Sequence, residues 1–386
     1  MDFDTVVNRK GTFCTQWDYV QDRFGVADLL PFTISDTDFA LPDEVMTALK
    51  DRLQHPVFGY TRWNHETFKQ SILHWYEKRF TSYLTPEDIV YSPTVMYSIS
   101  KLLQIVSKKG EGVIVQTPAY DAFYKTIAGN ERKIIPNPLC YEEGQYEIDW
   151  QDLELKLASQ ENTVLLLCSP HNPTGRVWQK EELAKIVSLC WQYDVFLISD
   201  EIHMDIHRKG QKHHPIIDFM DKNVALVTSG SKTFNFPGLI FSYAILPDER
   251  IREQFQLALK NQDGLSSASN LGMLATMTAY YECSYWVDEL NEYLDANFAF
   301  VKKYLAANLP QIKIVDSTAT YLMWLDITKL NLPMEVVQRR LIEIGQVAIM
   351  DGSVYGDEGS NFLRLNIGCS KSKLELGLEK MVKSFT

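Results

Sequence analysis

The chain has 386 residues, of which 45% are hydrophobic and 23% charged, and its formal net charge is −12. A chain of this size buries a sizeable core and predicts two domains. Its acidic balance, spread along the sequence, excludes nucleic acid as the main partner, because phosphate contacts need a basic face.

The opening MDFDTVVNRKGTFCTQW has no basic stretch leading into an apolar one, so the expectation is a soluble cytoplasmic protein. No membrane partner is expected either, since the longest apolar runs fall far short of the roughly 20 residues of a spanning helix. Six cysteines (Cys14, Cys140, Cys168, Cys190, Cys283 and Cys369) lie far apart without a CxxC pair. That scatter suits a reducing compartment better than a disulfide framework or a zinc site.

Along the middle of the chain, short apolar runs rich in β-branched residues recur. They are GVIVQTP at 112–118, TVLLLCSP at 163–170, VFLISDE at 195–201, VALVTSG at 224–230 and FSYAIL at 241–246. Runs that are apolar throughout, rather than alternating, predict strands covered on both faces. Between them QKEELAKIVSLCWQYD at 179–194 has helical spacing, with Leu183, Ile186, Val187 and Cys190 on one side. Strand, helix and strand in that order predict βαβ units and a mostly parallel sheet with helices on both faces.

The C-terminal region changes character. A long amphipathic helix is predicted over 284–310, then a strand in TYLMWLDI, a helix around MEVVQRRLIEIG and a strand in NFLRLNIG at 361–368. This is an α+β pattern and predicts a smaller domain. The expected division is a large domain over 48–285 and a small domain formed by both termini, 1–47 and 286–386.

Three polar residues each follow an apolar strand of the central region: Asn172 in SPHNPTG, Asp200 in ISDEIH and Lys232 in SGSKTF. Ligands of open parallel sheets bind outside the carboxyl ends of the strands, so the three are expected to share one pocket. A lysine amine in a desolvated pocket has a lowered pKa and becomes a nucleophile toward an aldehyde. An aspartate there stays ionised against a protonated ring nitrogen, and an asparagine can donate to a ring hydroxyl. Ser229 and Ser231 offer hydroxyls to a phosphate. The histidines His203, His207, His213 and His214 cluster in sequence, but no motif supplies a third ligand, and no metal is expected.

In that order along the chain, SPHNPTG, SDEIH, SGSKTF and NFLRLNIG resemble the signature set of fold-type I pyridoxal-phosphate enzymes of the class I/II aminotransferase superfamily. Within it, DTDF at 36–39, FGYTRW at 58–63, QTPAYDAFY at 116–124, DEIHMD at 200–205 and SKTFNFPGL at 231–239 resemble the MalY/PatB-type cystathionine β-lyases, or C–S lyases. The resemblance implies that Lys232 carries the cofactor covalently, that Asp200 faces the pyridine nitrogen and that Asn172 meets the ring hydroxyl. It implies that Tyr120 stacks on the cofactor ring, and that Ser229, Ser231 and the N–H groups of Val95 and Met96 at a helix N-terminus hold the phosphate. By the same resemblance His203 stands beside the ring, Tyr60 reaches the phosphate of the neighbouring subunit in a homodimer, and Arg364 clamps the substrate α-carboxylate.

Two positions depart from the aminotransferase pattern. Ile240 stands where many aminotransferases have a phosphate-binding arginine, and His203 where they have a tyrosine. The expected activity is carbon–sulfur β-elimination on a sulfur amino acid, catalysed through Lys232, Asp200 and Tyr120. An aminotransferase is the alternative enzyme, and a regulatory protein that keeps the fold is the alternative from another class.

Overall fold

The computed structural model describes residues 2–219 and 222–386. Its larger sheet has seven strands in the spatial order Ile89–Ser92, Ser242–Ile245, Val224–Thr228, Phe196–Asp200, Asn162–Cys168, Gly112–Thr117 and Lys133–Pro138. The four strands from Val224–Thr228 to Gly112–Thr117, and the edge strand Lys133–Pro138, pair in parallel, while Ser242–Ile245 runs antiparallel to both neighbours. The predicted α/β class, with a mostly parallel sheet, is therefore the one observed.

Alternate side chains explain why these strands read as unbroken apolar runs. Val113, Val115, Val164, Leu166, Ile198 and Val227 belong to the core cluster beneath the helices Val95–Val106 and Asp121–Gly129. Ile114, Leu165, Leu167, Leu197 and Leu226 face the opposite way, into the core that includes Leu153, Leu183 and Ile186 of the helices Trp150–Leu157 and Lys180–Gln192. Both faces are dry, so neither face tolerates a polar position except at the strand ends.

The second sheet has five strands in the order Leu30–Phe32, Val347–Asp351, Phe362–Asn366, Leu322–Asp326 and Lys313–Ile314. The long helix Ser284–Asn308 and the C-terminal helix Lys371–Phe385 belong with it. Gly377 lies so close to the Phe32 ring that a Cβ there would stand 2.2 Å from it, so only glycine admits this helix-to-sheet approach.

What brings the two sheets together is an extended segment, residues 33–39, fixed by two asparagine side chains. Asn366, at the end of its strand, donates to the Ile34 and Asp36 carbonyls at 2.6 and 2.7 Å. Asn235, three residues past Lys232, accepts from Thr37 N at 3.0 Å and donates to Phe39 O at 2.7 Å. Each amide satisfies backbone groups that no strand neighbour reaches, and the segment becomes a roof over the carboxyl ends of the central strands.

Candidate active site

Cys168, Asp200 and Val227 are direct neighbours in register across three parallel strands. The chain leaves these strands on one edge of the sheet, so Asn172, Asp200, Ser229, Ser231 and Lys232 line a single cavity there. Val95, Met96, Tyr120 and His203 line it as well. The sequence-based grouping of the three strand-end residues is thus realised in space.

At one end of the cavity the helix Val95–Val106 begins. Its cap residue Thr94 accepts from Tyr97 N at 3.1 Å through its side chain. The N–H groups of Val95 and Met96, in the first turn, have no carbonyl within the helix to meet, and the helix dipole adds partial positive charge at that point. Ser231 stands nearby in the lining. Ser229 donates its only proton to Phe241 O at 2.6 Å and accepts from Ser231 N at 3.1 Å. Its hydroxyl therefore braces the loop that carries the lysine.

Lys232 Nζ donates to Ser35 O at 2.6 Å, and Tyr321 Oη donates to the same carbonyl at 2.8 Å. Burial brings the lysine pKa down from 10.5 to about 8; Asp36 and Asp200 pull it up and Arg364 pushes it further down. Asp200 is buried and accepts from Ile202 N at 3.1 Å. Burial raises its carboxyl from 3.8 to about 7, with the Ile202 N–H opposing, Glu201 adding to the rise and Lys232 opposing it. An acid so poised takes its charge when a cation is set against it.

Arg364 is buried beneath the roof, with Nη2 on Thr33 O at 2.8 Å and Nη1 on Asn172 Oδ1 at 3.2 Å. Its guanidinium carbon lies 4.8 Å from the centre of the Tyr355 ring, and Nε has no hydrogen-bond partner among the described residues. A buried guanidinium with a free donor is a site for a carboxylate. Buried His203 stays neutral, its pKa lowered to about 3 by burial and by the positive Lys232 and Arg364. Its Nδ1 is likewise without a partner among the described residues.

The histidine cluster resolves into separate structural roles. His213 Nε2 meets Glu201 Oε2 at 2.7 Å, both fully buried, and the other Glu201 oxygen accepts from Ser199 Oγ and Ile216 N. This network lies immediately behind Asp200 in the chain. Tyr60 is fully exposed, at 101% of its reference surface, and lies away from the cavity beside Ser267 and Ala268. Sequence reasoning missed Ser35, Thr33, Tyr321 and Tyr355. The first two act through backbone carbonyls, which leave no side-chain signal.

The description aminotransferase class I and II fits residues 27–381 of this chain. It is 45% identical to Protein MalY of Escherichia coli over 99% of this chain and 98% of that protein. It is 38% identical to cystathionine β-lyase PatB of Bacillus subtilis, over 99% of each. The crystal structure of cystalysin from Treponema denticola, which contains pyridoxal 5′-phosphate, superposes with a TM-score of 0.94 at 32% identity, covering 99% of this chain and 98% of that one. A buried lysine of lowered pKa, an aspartate at the neighbouring strand end and likeness over the whole chain meet in one conclusion: the protein belongs to the aminotransferase class I and II family.

Proposed function

We propose that this protein cleaves the carbon–sulfur bond of cystathionine and related cysteine S-conjugates, taking up water and giving a thiol, pyruvate and ammonia. Cysteine as substrate would give hydrogen sulfide. The observation that carries this reading is the Lys232 amine, whose pKa burial lowers to about 8 so that it gives up its proton far more readily than an ordinary lysine, in the field of the acid Asp200 and the guanidinium Arg364.

The cavity residues fit pyridoxal phosphate as a donor set. Val95 N, Met96 N and the Ser231 hydroxyl would hold the phosphate, Asp200 would hold the ring nitrogen, Asn172 would meet the ring hydroxyl and Tyr120 would cover a ring face. When bound there, the cofactor supplies an electron-withdrawing ring that drains charge from the substrate α-carbon. The protein does the rest. Arg364 binds the α-carboxylate by donating its spare N–H groups to it, and fixes the Cα–H bond in reach of Lys232. Lys232 Nζ takes that proton, a task for which a pKa near the working pH is best suited. His203 remains uncharged and adds no competing cation beside the ring.

Ile240 gives the phosphate end a shape of its own. It lines the cavity in the left-handed region, with φ of 46°, a conformation costly for a β-branched residue. With no arginine at this place, the phosphate rests on N–H and hydroxyl donors.

Incubation of the purified, cofactor-loaded protein with cystathionine should release a thiol and pyruvate in equal amounts. Amino transfer to a keto acid without thiol release would sink the lyase reading in favour of an aminotransferase. No turnover of any amino acid would favour a regulatory protein on the same fold.

Covalent loading of the cofactor needs a neutral lysine. The loading rate, followed at the cofactor's visible absorbance after rapid mixing, should rise with pH toward about 8 and level off above it. A lysine with the ordinary value of 10.5 would keep accelerating well past that point.

We further propose a homodimer in which Tyr60 completes the site of the partner. Supporting this, Tyr60 and Phe58 lie together and, with Leu53 and Val57 close by in the chain, are exposed apolar side chains, and large exposed apolar surface marks a contact site. In this arrangement 48–285 forms one unit, and 1–47 with 286–386 a second that closes over substrate. Lys232→Ala and Tyr60→Phe subunits, each weak alone, should regain activity when mixed and refolded, because some hybrids then hold one intact site. A mixture no more active than its components would count against the shared site.

A further inference from the structure

Beside the active site lies a second groove, lined by Arg23, Asp121, Lys125, Met350, Asp351 and Val354. Its lining residues adjoin those of the cofactor cavity, near enough that the Arg23 charge counters the rise that burial gives the Tyr120 and Tyr355 pKa. Asp121 directly follows Tyr120, and Val354 directly precedes Tyr355, whose ring packs on Arg364. Met350 is the register partner of Arg364 in the smaller sheet, so the two side chains leave the sheet on the same face. Tyr355, at the border of groove and cavity, is firmly held, because its carbonyl accepts from Ala119 N and from Tyr124 Oη, each at 2.7 Å.

The charges in the groove have an order. Asp121 and Lys125 form an i,i+4 pair at 2.5 Å, and Asp351 Oδ1 accepts from Ser353 N at 2.7 Å. Arg23 makes no ion pair among the described residues; its side chain donates through Nη1 to the neutral Met350 Sδ at 3.2 Å. A guanidinium without an ion pair, in one lining with Met350, Val354 and the carboxylate of Asp351, is the complement of a zwitterionic amino-acid end: a carboxylate for Arg23, an ammonium for Asp351.

We propose that this groove is the subsite for the distal amino-acid end of a thioether substrate, with Arg23 taking the distal carboxylate and the Met350 and Val354 side chains lining the path of the methylenes. The inference rests on the reading of the protein as a C–S lyase. A thioether such as cystathionine carries an α-amino acid at each end, and Arg364 can hold only one of them. Binding energy from the far end acts on substrate choice, because the bond that breaks lies elsewhere.

The test compares cystathionine with S-methylcysteine, which has the same scissile bond and no second charged end. In Arg23→Ala the ratio of kcat/KM for cystathionine to that for S-methylcysteine should fall roughly 10- to 100-fold, through KM. Arg23→Lys should restore part of the ratio. A ratio unchanged in Arg23→Ala, or equal losses on both substrates, would overturn the assignment. Calorimetric titration with cystathionine lacking its reacting α-amino group separates the subsite from the chemistry. Weaker binding to Arg23→Ala than to the parent supports the groove even if the parent cleaves neither thioether, an outcome that would sink the lyase reading alone; equal binding overturns the groove.

Discussion

Lys232→Ala should lower carbon–sulfur cleavage by on the order of 10⁴-fold, since in the proposed mechanism one side chain is both the covalent tether and the base at Cα. The cofactor's visible band should be lost on dialysis of this variant; a band that survives would refute the tether. The roof over the site should stay in place, because Ser35 O keeps its second donor, Tyr321 Oη, at 2.8 Å. Without cofactor, the variant should melt at a higher temperature than the parent protein. The sign follows from the pKa: a lysine brought from 10.5 down to about 8 on folding holds its proton less well in the folded state. The penalty is full below about 8, is relieved as pH rises toward 10.5, and alanine never carries it. Asp200 is not stranded as a bare charge by the change, because loss of the positive neighbour lets its carboxyl rise further and take a proton. Higher stability with lost turnover is the expected pair, measured by calorimetry and by thiol release.

The central strands were legible because burial on two faces leaves a plain mark, an unbroken apolar run, and because the chemistry sits where those runs stop. Lys133–Pro138 left no such mark: KIIPNP holds two prolines and half-exposed residues, which only an edge strand accepts. Leu30–Phe32, also with a proline inside, is three residues long and owes its existence to pairing with Val347–Asp351, more than 300 positions away. No local pattern encodes such a partner. At the site, Lys232, Asp200 and Asn172 line the cavity and Arg364 reaches Asn172 with their own side chains, and so could be named, whereas Ser35 and Thr33 contribute only carbonyls. His213 shows the reverse case, a residue that stands out in sequence only as one of a histidine cluster and whose place is a buried pair with Glu201. Ile240 was visible as a departure from a pattern, yet its left-handed backbone was not, since a β-branched residue ordinarily avoids that region.

In the proposed mechanism Arg364 acts on the site in two ways, and its substitution should show both effects. Each charge-assisted hydrogen bond to a carboxylate contributes about 1.5–3 kcal/mol, so loss of the two parallel bonds in Arg364→Gln should reduce kcat/KM on the order of 10³-fold. Arg364→Lys should recover little of it, because an ammonium cannot present two parallel donors while still reaching Asn172 Oδ1 and Thr33 O. The second effect is electrostatic. The positive Arg364 is one of the groups that keep the Lys232 pKa near 8, so its neutral replacement should raise that value. The acidic limb of the pH profile for cofactor loading should then move to higher pH in Arg364→Gln and stay near the parent position in Arg364→Lys, which keeps the charge. A guanidinium that merely held the two sheets together would lower activity in both variants and shift the profile in neither. The split between lost affinity and shifted pH dependence therefore distinguishes a carboxylate clamp that also tunes the base from an arginine that is only part of the scaffold.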